Sequence, residues 1–261
     1  MYGARGPRSY RWMAFACLLA LLGPAEADDK ALCNPAVIGT APVRTVLDGR
    51  TLLLADGREA RLAGIEIAQP DAARAALEAA IAGRDVRLMR LGPETDRYGR
   101  ISGLINPLAE PRALQLTLLA QGQARVAALV GDRACAADFL AAERGARRAK
   151  LGLWAEAPYL TKRADRPAEV LAERGRFAVV EGTVLSVREL GGTIYVNFGR
   201  RWTEDFTVTV AKRLERPFSA AGLELKKLSG QRVRVRGTIE ERGGPWIEAA
   251  HPEQIELAGR E

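Results

Sequence analysis

The sequence predicts a mainly β fold with added helices, an α+β arrangement of two five-stranded barrels. Three observations carry this. Short strand-like runs recur with turn signals roughly every 8 to 12 residues, which suits barrels better than an α/β sheet. Asp-Gly pairs at 48–49 and 56–57 join the first runs as tight hairpins. The order of three strands, a helical stretch and two strands then occurs a second time along the chain.

In the first unit, Val43 to Leu47, Arg50 to Leu54 and Glu59 to Ile67 read as strands. Asp71 to Ala82 reads as a helix, because Ala73, Leu77, Ala80 and Ile81 share one face and Gly83 stops it. Asp85 to Leu91 and Ile101 to Ile105 supply two further strands, separated by the turn "GPETDRYGR" at 92–100. Pro111 opens a helix that runs to Gln121, and Ala136 to Lys150 forms another with Phe139, Ala142, Ala146 and Ala149 on one face. The segment 28–42 reads as an irregular N-terminal arm and 157–175, rich in Ala, Arg and Glu, as a linker.

In the second unit, 176–258, Val179 to Val187, Gly192 to Phe198 and Asp205 to Ala211 read as strands. Broken helical stretches follow over Arg213 to Leu228, then strands at Gln231 to Ile239 and Trp246 to Ala249. This is the element order of an OB-fold. Within it, "RVRVRG" at 232–237 alternates strictly, so Arg232, Arg234 and Arg236 share one face. That stripe reads as a solvated barrel face. With Tyr195, Phe198 or Trp202 beside it, it would also suit single-stranded nucleic acid.

Composition places the chain among globular proteins: 261 residues, 48% hydrophobic and 27% charged. The net charge of +7 is compatible with a polyanionic partner without requiring one. Residues 1–27 read as a secretory signal: Arg5, Arg8 and Arg11 precede an apolar run from Trp12 to Gly23, and Ala25-Glu26-Ala27 offers a cleavage site. Loss of three arginines and one glutamate takes the charge from +7 to +5. The expected location is therefore secreted or periplasmic, with no membrane attachment after cleavage; an uncleaved anchor is the alternative. Cys33 and Cys135 remain, and two cysteines in an exported chain most often pair. Such a bridge is worth roughly 4 to 5 kcal/mol by the chain-entropy account; two buried thiols are the alternative. The single histidine, His251, and the cysteine spacing offer no zinc site.

Five blocks then stand out in residues 43–156: "VLDGRTLLL" at 46–54, "RLAGIE" at 61–66, "TDRYGR" at 95–100, "LLAQGQARV" at 118–126 and "AKLGLW" at 149–154. In this order they resemble the thermonuclease, or staphylococcal-nuclease-like, family. The resemblance implies an OB-type barrel with helices and phosphodiester hydrolysis of DNA or RNA with one calcium ion. Such chemistry needs a hard cation held by carboxylates, a carboxylate that activates water, and guanidiniums that brace the phosphate.

The resemblance implies that Arg61 and Arg100 are the phosphate-binding arginines. On the metal side it implies Asp48, Glu66 and the carbonyl of Ile67, but Arg50 stands where the family has a second ligating Asp. The catalytic Glu position falls at Gln69, which cannot act as a base. A cation beside a calcium site opposes the ion; two unit charges 4 Å apart repel by about 4 kcal/mol at an effective dielectric of 20. The expected site is therefore three arginines, Arg50, Arg61 and Arg100, facing one phosphate, with calcium and other cofactors absent and nuclease activity weak or lost. Arg50 pointing to solvent and Glu66 pairing with Arg61 are the plain structural alternatives. Three functions follow: a binder of single-stranded DNA or RNA, an active exported phosphodiesterase with a modified metal site, or a cell-envelope protein-interaction module.

Overall fold

A computed structural model of the chain describes residues 1–3, 33–81 and 84–259, with Glu94 described by its backbone alone. Most of the expected signal segment, 1–27, including its cleavage site, lies outside the described residues. No helix among the described residues is long and apolar enough to cross a membrane.

The first five long strands close into a barrel. They are β1 (Val37–Asp48), β2 (Thr51–Leu54), β3 (Glu59–Leu62), β5 (Asp85–Thr95) and β6 (Ile101–Pro107), in the order β1-β2-β3-β6-β5. Alternation drives this. Along β3, Ala60 and Leu62 are buried, whereas Glu59 and Arg61 lie on the other face. Leu52, Leu54, Val86 and Leu88 join the same core. Part of the expected N-terminal arm belongs to the barrel, because Val37 to Pro42 pair with β5. That pairing needs a partner far along the chain, which local composition does not reveal.

Three helices cover the barrel: α1 (Pro70–Ile81), α2 (Leu114–Ala120) and α3 (Arg133–Arg148). The β1–β2 turn rests on α1. A Cβ on Gly49 would come within 2.9 Å of the Ala73 Cβ and 3.1 Å of the Pro70 carbonyl, so glycine permits the approach. A short ladder of β4 (Ile65–Glu66) and β7 (Arg125–Val126) sets Glu66 opposite Arg125. The Cys33–Cys135 disulfide forms, tying the segment before β1 to α3.

The second half differs from a closed five-stranded barrel. One sheet, ordered β10-β11-β12-β15-β14, holds Ser186–Leu190, Thr193–Asn197, Thr207–Ala211, Gly244–Glu248 and Glu240–Arg242. The other, β16-β13-β9-β8, holds Ile255–Leu257, Arg232–Thr238, Phe177–Thr183 and Lys162–Arg163. Both share one apolar core that includes Val180, Val196, Phe206, Val208 and Val235. The stretch expected as a linker, 157–175, contributes β8 and α4 (Pro167–Leu171), whose Val170 is fully buried in that core. A charged, weakly periodic sequence hid its two buried apolar residues, Ala164 and Val170.

The two halves join through buried charge. Arg236 of β13 donates to both carboxylate oxygens of Glu143 on α3, at 3.0 and 2.9 Å, and both side chains are fully buried. Glu143 also accepts the Val126 N–H at 2.6 Å. This corrects the expectation of a solvated arginine stripe. Arg234 and Arg236 are buried in ion pairs, with Glu181 and Glu256 as further partners, because α3 covers the face they share. Arg232, at the strand's start, stays exposed and pairs with Glu181 at 2.5 Å.

Candidate phosphate-binding site

Arg61 sits in the middle of β3, between Thr51 of β2 and Ser102 of β6. Arg100 lies in the turn that leads into β6, two residues before Ser102. Arg50 leads into β2, its carbonyl fixed by the Leu62 N–H at 2.8 Å. The closed barrel thus gathers three arginines from separate blocks at one mouth. Arg50 and Arg61 line a cleft of about 350 Å³ whose other wall is 127–131.

The three differ in how far they are committed. Arg100 is tied to its own turn: its Nε donates to Asp96 at 2.8 Å, and it stacks over the Tyr98 ring at 5.0 Å. Arg50 is engaged from two sides. Its Nη1 donates to the Ile65 carbonyl at 3.3 Å and lies 3.8 Å from a Glu66 oxygen. Arg61 makes no hydrogen bond or ion pair with any described residue. Desolvation pushes its pKa below the ordinary value, and the positive fields of Arg50 and Arg100 push it the same way. Two like charges thus lie within electrostatic reach of Arg61, offset in part by Asp48 and Asp96.

The residues expected on the metal side are arranged otherwise. Asp48 Oδ1 accepts the backbone N–H of Arg50 at 2.8 Å, as an Asx turn. Glu66 faces the Arg50 guanidinium and pairs with it rather than with Arg61. The Ile67 side chain packs on the barrel core and against Gly49. Among the described residues, no group of three or more His, Cys, Asp or Glu side chains stands close enough to hold a metal ion. The Arg50 guanidinium thus engages both the Ile65 carbonyl and the Glu66 carboxylate.

Gln69 lies outside the cleft and donates to Glu156 at 2.8 Å. Glu156 follows the "AKLGLW" block and is 87 residues away, so no local signal marks the pair. Arg125 is another residue that sequence reasoning does not reach. It is buried, opposite Glu66 in the ladder, with its guanidinium over the Phe177 ring at 5.1 Å. Its position in "LLAQGQARV" was the only hint. Of the aromatics near the expected arginine stripe, Tyr195 and Trp202 line a separate cleft with Trp246, whereas Phe198 shares a cleft with Arg232 and Arg234.

Among curated proteins, none matches this chain. A family model does match over residues 64–156, a span that takes in Glu66, Gln69 and Arg100 and begins just past Arg61. Its description is Staphylococcal nuclease homologue, and the chain therefore carries, across 64–156, a domain of the staphylococcal nuclease (thermonuclease) family.

Proposed function

We propose that this protein binds a phosphodiester of single-stranded DNA or RNA between Arg50, Arg61 and Arg100, and that it hydrolyses that bond weakly or not at all. The observation that carries the reading is the Arg61 guanidinium, which pairs with no described residue, shares an open cleft with Arg50 and lies within electrostatic reach of Arg100. Charge-assisted hydrogen bonds from such a group to phosphate oxygens are short and strong. Family membership of residues 64–156 supports the nucleic-acid partner. Arg50 substitutes for the divalent charge, which supports a site that works without calcium. Arg61→Ala should weaken single-stranded DNA binding about 10- to 100-fold, from the 1.5–3 kcal/mol that a hydrogen bond to a charged group contributes. Fluorescence anisotropy measures this. Unchanged affinity would remove the clamp and leave a protein-interaction role as the better account.

A second reading, an active phosphodiesterase with a modified metal site, is favoured by one contact. The Gln69 amide holds the Glu156 carboxylate at 2.8 Å, which returns an acid to the neighbourhood of the family's base position. Calcium-dependent cleavage of single-stranded DNA, lost in Glu156→Gln, would establish it. Under the main reading calcium neither raises the melting temperature nor yields product, and Arg50→Asp with Gln69→Glu gains calcium binding.

We further propose export. The signal pattern of residues 1–27 supports it, as does a disulfide that suits an oxidising compartment. N-terminal sequencing of the mature protein should begin at Asp28.

A further inference from the structure

A second cationic cleft, of about 810 Å³, opens where α3 meets the second half of the chain. Arg147 and Arg148 of α3, Lys162 and Arg163 of β8, and Arg232 and Arg234 of β13 line it. Asp165 and Glu181 are the carboxylates of the lining, and Glu143, Glu173 and Glu256 pair with Arg147, Lys162 and Arg234 from behind it. Two buried donors on its lining residues lack partners among the described residues: Nη2 of Arg147 and Oγ1 of Thr161. The other terminal nitrogen of Arg147 is held by Glu143 at 3.2 Å, and the side chain is 12% exposed. Desolvation lowers the Arg147 pKa, and the nearby charge of Arg234 lowers it further. Arg148 is exposed and makes no hydrogen bond or ion pair with any described residue. Phe198 forms an aromatic wall of the same cleft.

A concentration of cations with unfilled buried donors is a seat for anionic oxygens. Lining residues held in common relate this cleft to the first site. The cleft of Arg50 and Arg61 shares Glu66 with a third hollow lined by Arg125, Arg176 and Lys162, and that hollow shares Lys162 with the second cleft. Cations thus recur along one path from the barrel mouth to the junction.

We infer that this junction cleft binds the phosphate backbone of the same single strand that the Arg61 clamp engages, extending the footprint beyond the nuclease-type domain. The inference rests on the clamp reading for the identity of the ligand. A groove of positive charge with an aromatic wall is the means by which proteins hold single strands without reading sequence.

The test uses the full chain, an oligothymidylate of about 20 nucleotides, and two variants. Arg148→Glu with Arg163→Glu and Arg232→Glu disables the junction cleft at exposed positions; Arg61→Ala disables the clamp. The junction variant should bind at least about tenfold more weakly, and its salt slope should fall by about 0.7 for each lost phosphate contact. If it binds as tightly as the unaltered chain while Arg61→Ala weakens, the junction inference is overturned and the clamp stands. Weakening of the junction variant alone keeps the cleft and overturns the clamp. No binding by the unaltered chain overturns both. Should the triple charge reversal fail to fold, Arg148→Gln with Arg163→Gln gives the same comparison with milder changes.

Discussion

Asp96 shows how one side chain sets the geometry of the turn "TDRYGR". Its Oδ1 accepts the N–H groups of Tyr98 and Arg100 at 2.9 and 3.1 Å, and its other oxygen takes the Arg100 Nε at 2.8 Å. Partial desolvation pushes its pKa up, but these hydrogen bonds together hold it below the usual carboxylate range. A depressed folded-state pKa means stability present above the unfolded-chain value of about 3.9 and lost as pH falls through the folded value. Asp96→Asn should therefore be less stable than the unaltered protein at pH 7, and the gap should close in acid, as urea unfolding at several pH values will show. Arg236 gives a larger effect. Arg236→Met strands Glu143 without its main partner inside the protein, at a cost of about 3–5 kcal/mol. Replacing both residues by apolar ones should recover part of that loss in the same unfolding measurement. The sequence showed that Arg232, Arg234 and Arg236 share a face, because period-2 alternation is local. It could not show what covers that face, since Glu143 lies 93 residues away. Arg61 was legible because it stands in a recognisable block, whereas Gln69 and Glu156 meet only through the fold.

Among the elements, α2 completes the barrel where a strand runs out. β3 ends at Leu62, opposite Gly103 of β6, and Gln115 of α2 takes over beyond it. Its amide donates to the Gly103 carbonyl at 2.7 Å, and its oxygen accepts the Ile105 N–H at 3.2 Å. Gln115 is fully buried, so Gln115→Leu would leave the Ile105 N–H unpaired at about 1–3 kcal/mol, whereas the Gly103 carbonyl keeps the Ala63 N–H. Faster hydrogen exchange at the Ile105 amide will report the change. The turns and strand cores of the first barrel were readable from Asp-Gly pairs and alternation, and α1 and α3 from their apolar spacing. The pairing of Val37 to Pro42 with β5 was not, because a stretch with half its residues exposed carries little hydrophobic signal.

At the scale of the molecule, residues 31–261 form one compact unit. The nuclease-type domain is not finished at residue 156. Trp154, Ala146 and Val179 form a buried cluster across the two halves, and the Val130 N–H is capped by Glu253 at 3.0 Å. A chain ended after Tyr159 would uncover Glu143 and the Trp154 ring together. We expect such a shortened protein to unfold at markedly lower denaturant, or to aggregate, with circular dichroism in urea as the check. The second half was only partly readable. Its strands are local features, but their division into two sheets depends on β8, two residues long, and on pairings that cross the whole segment.

The bridge between Cys33 and Cys135 has a consequence for biogenesis. The two sulfurs are 102 residues apart, and a ribosome delivers the earlier one first. For the time it takes to synthesise that interval, Cys33 is an orphan thiol on a nascent chain whose barrel cannot close until β5 and β6 have been made. Maturation should therefore depend on an oxidant that acts once Cys135 has been made, and a cell lacking disulfide-forming catalysts should accumulate the protein with Cys33 and Cys135 as free thiols, as thiol alkylation will show.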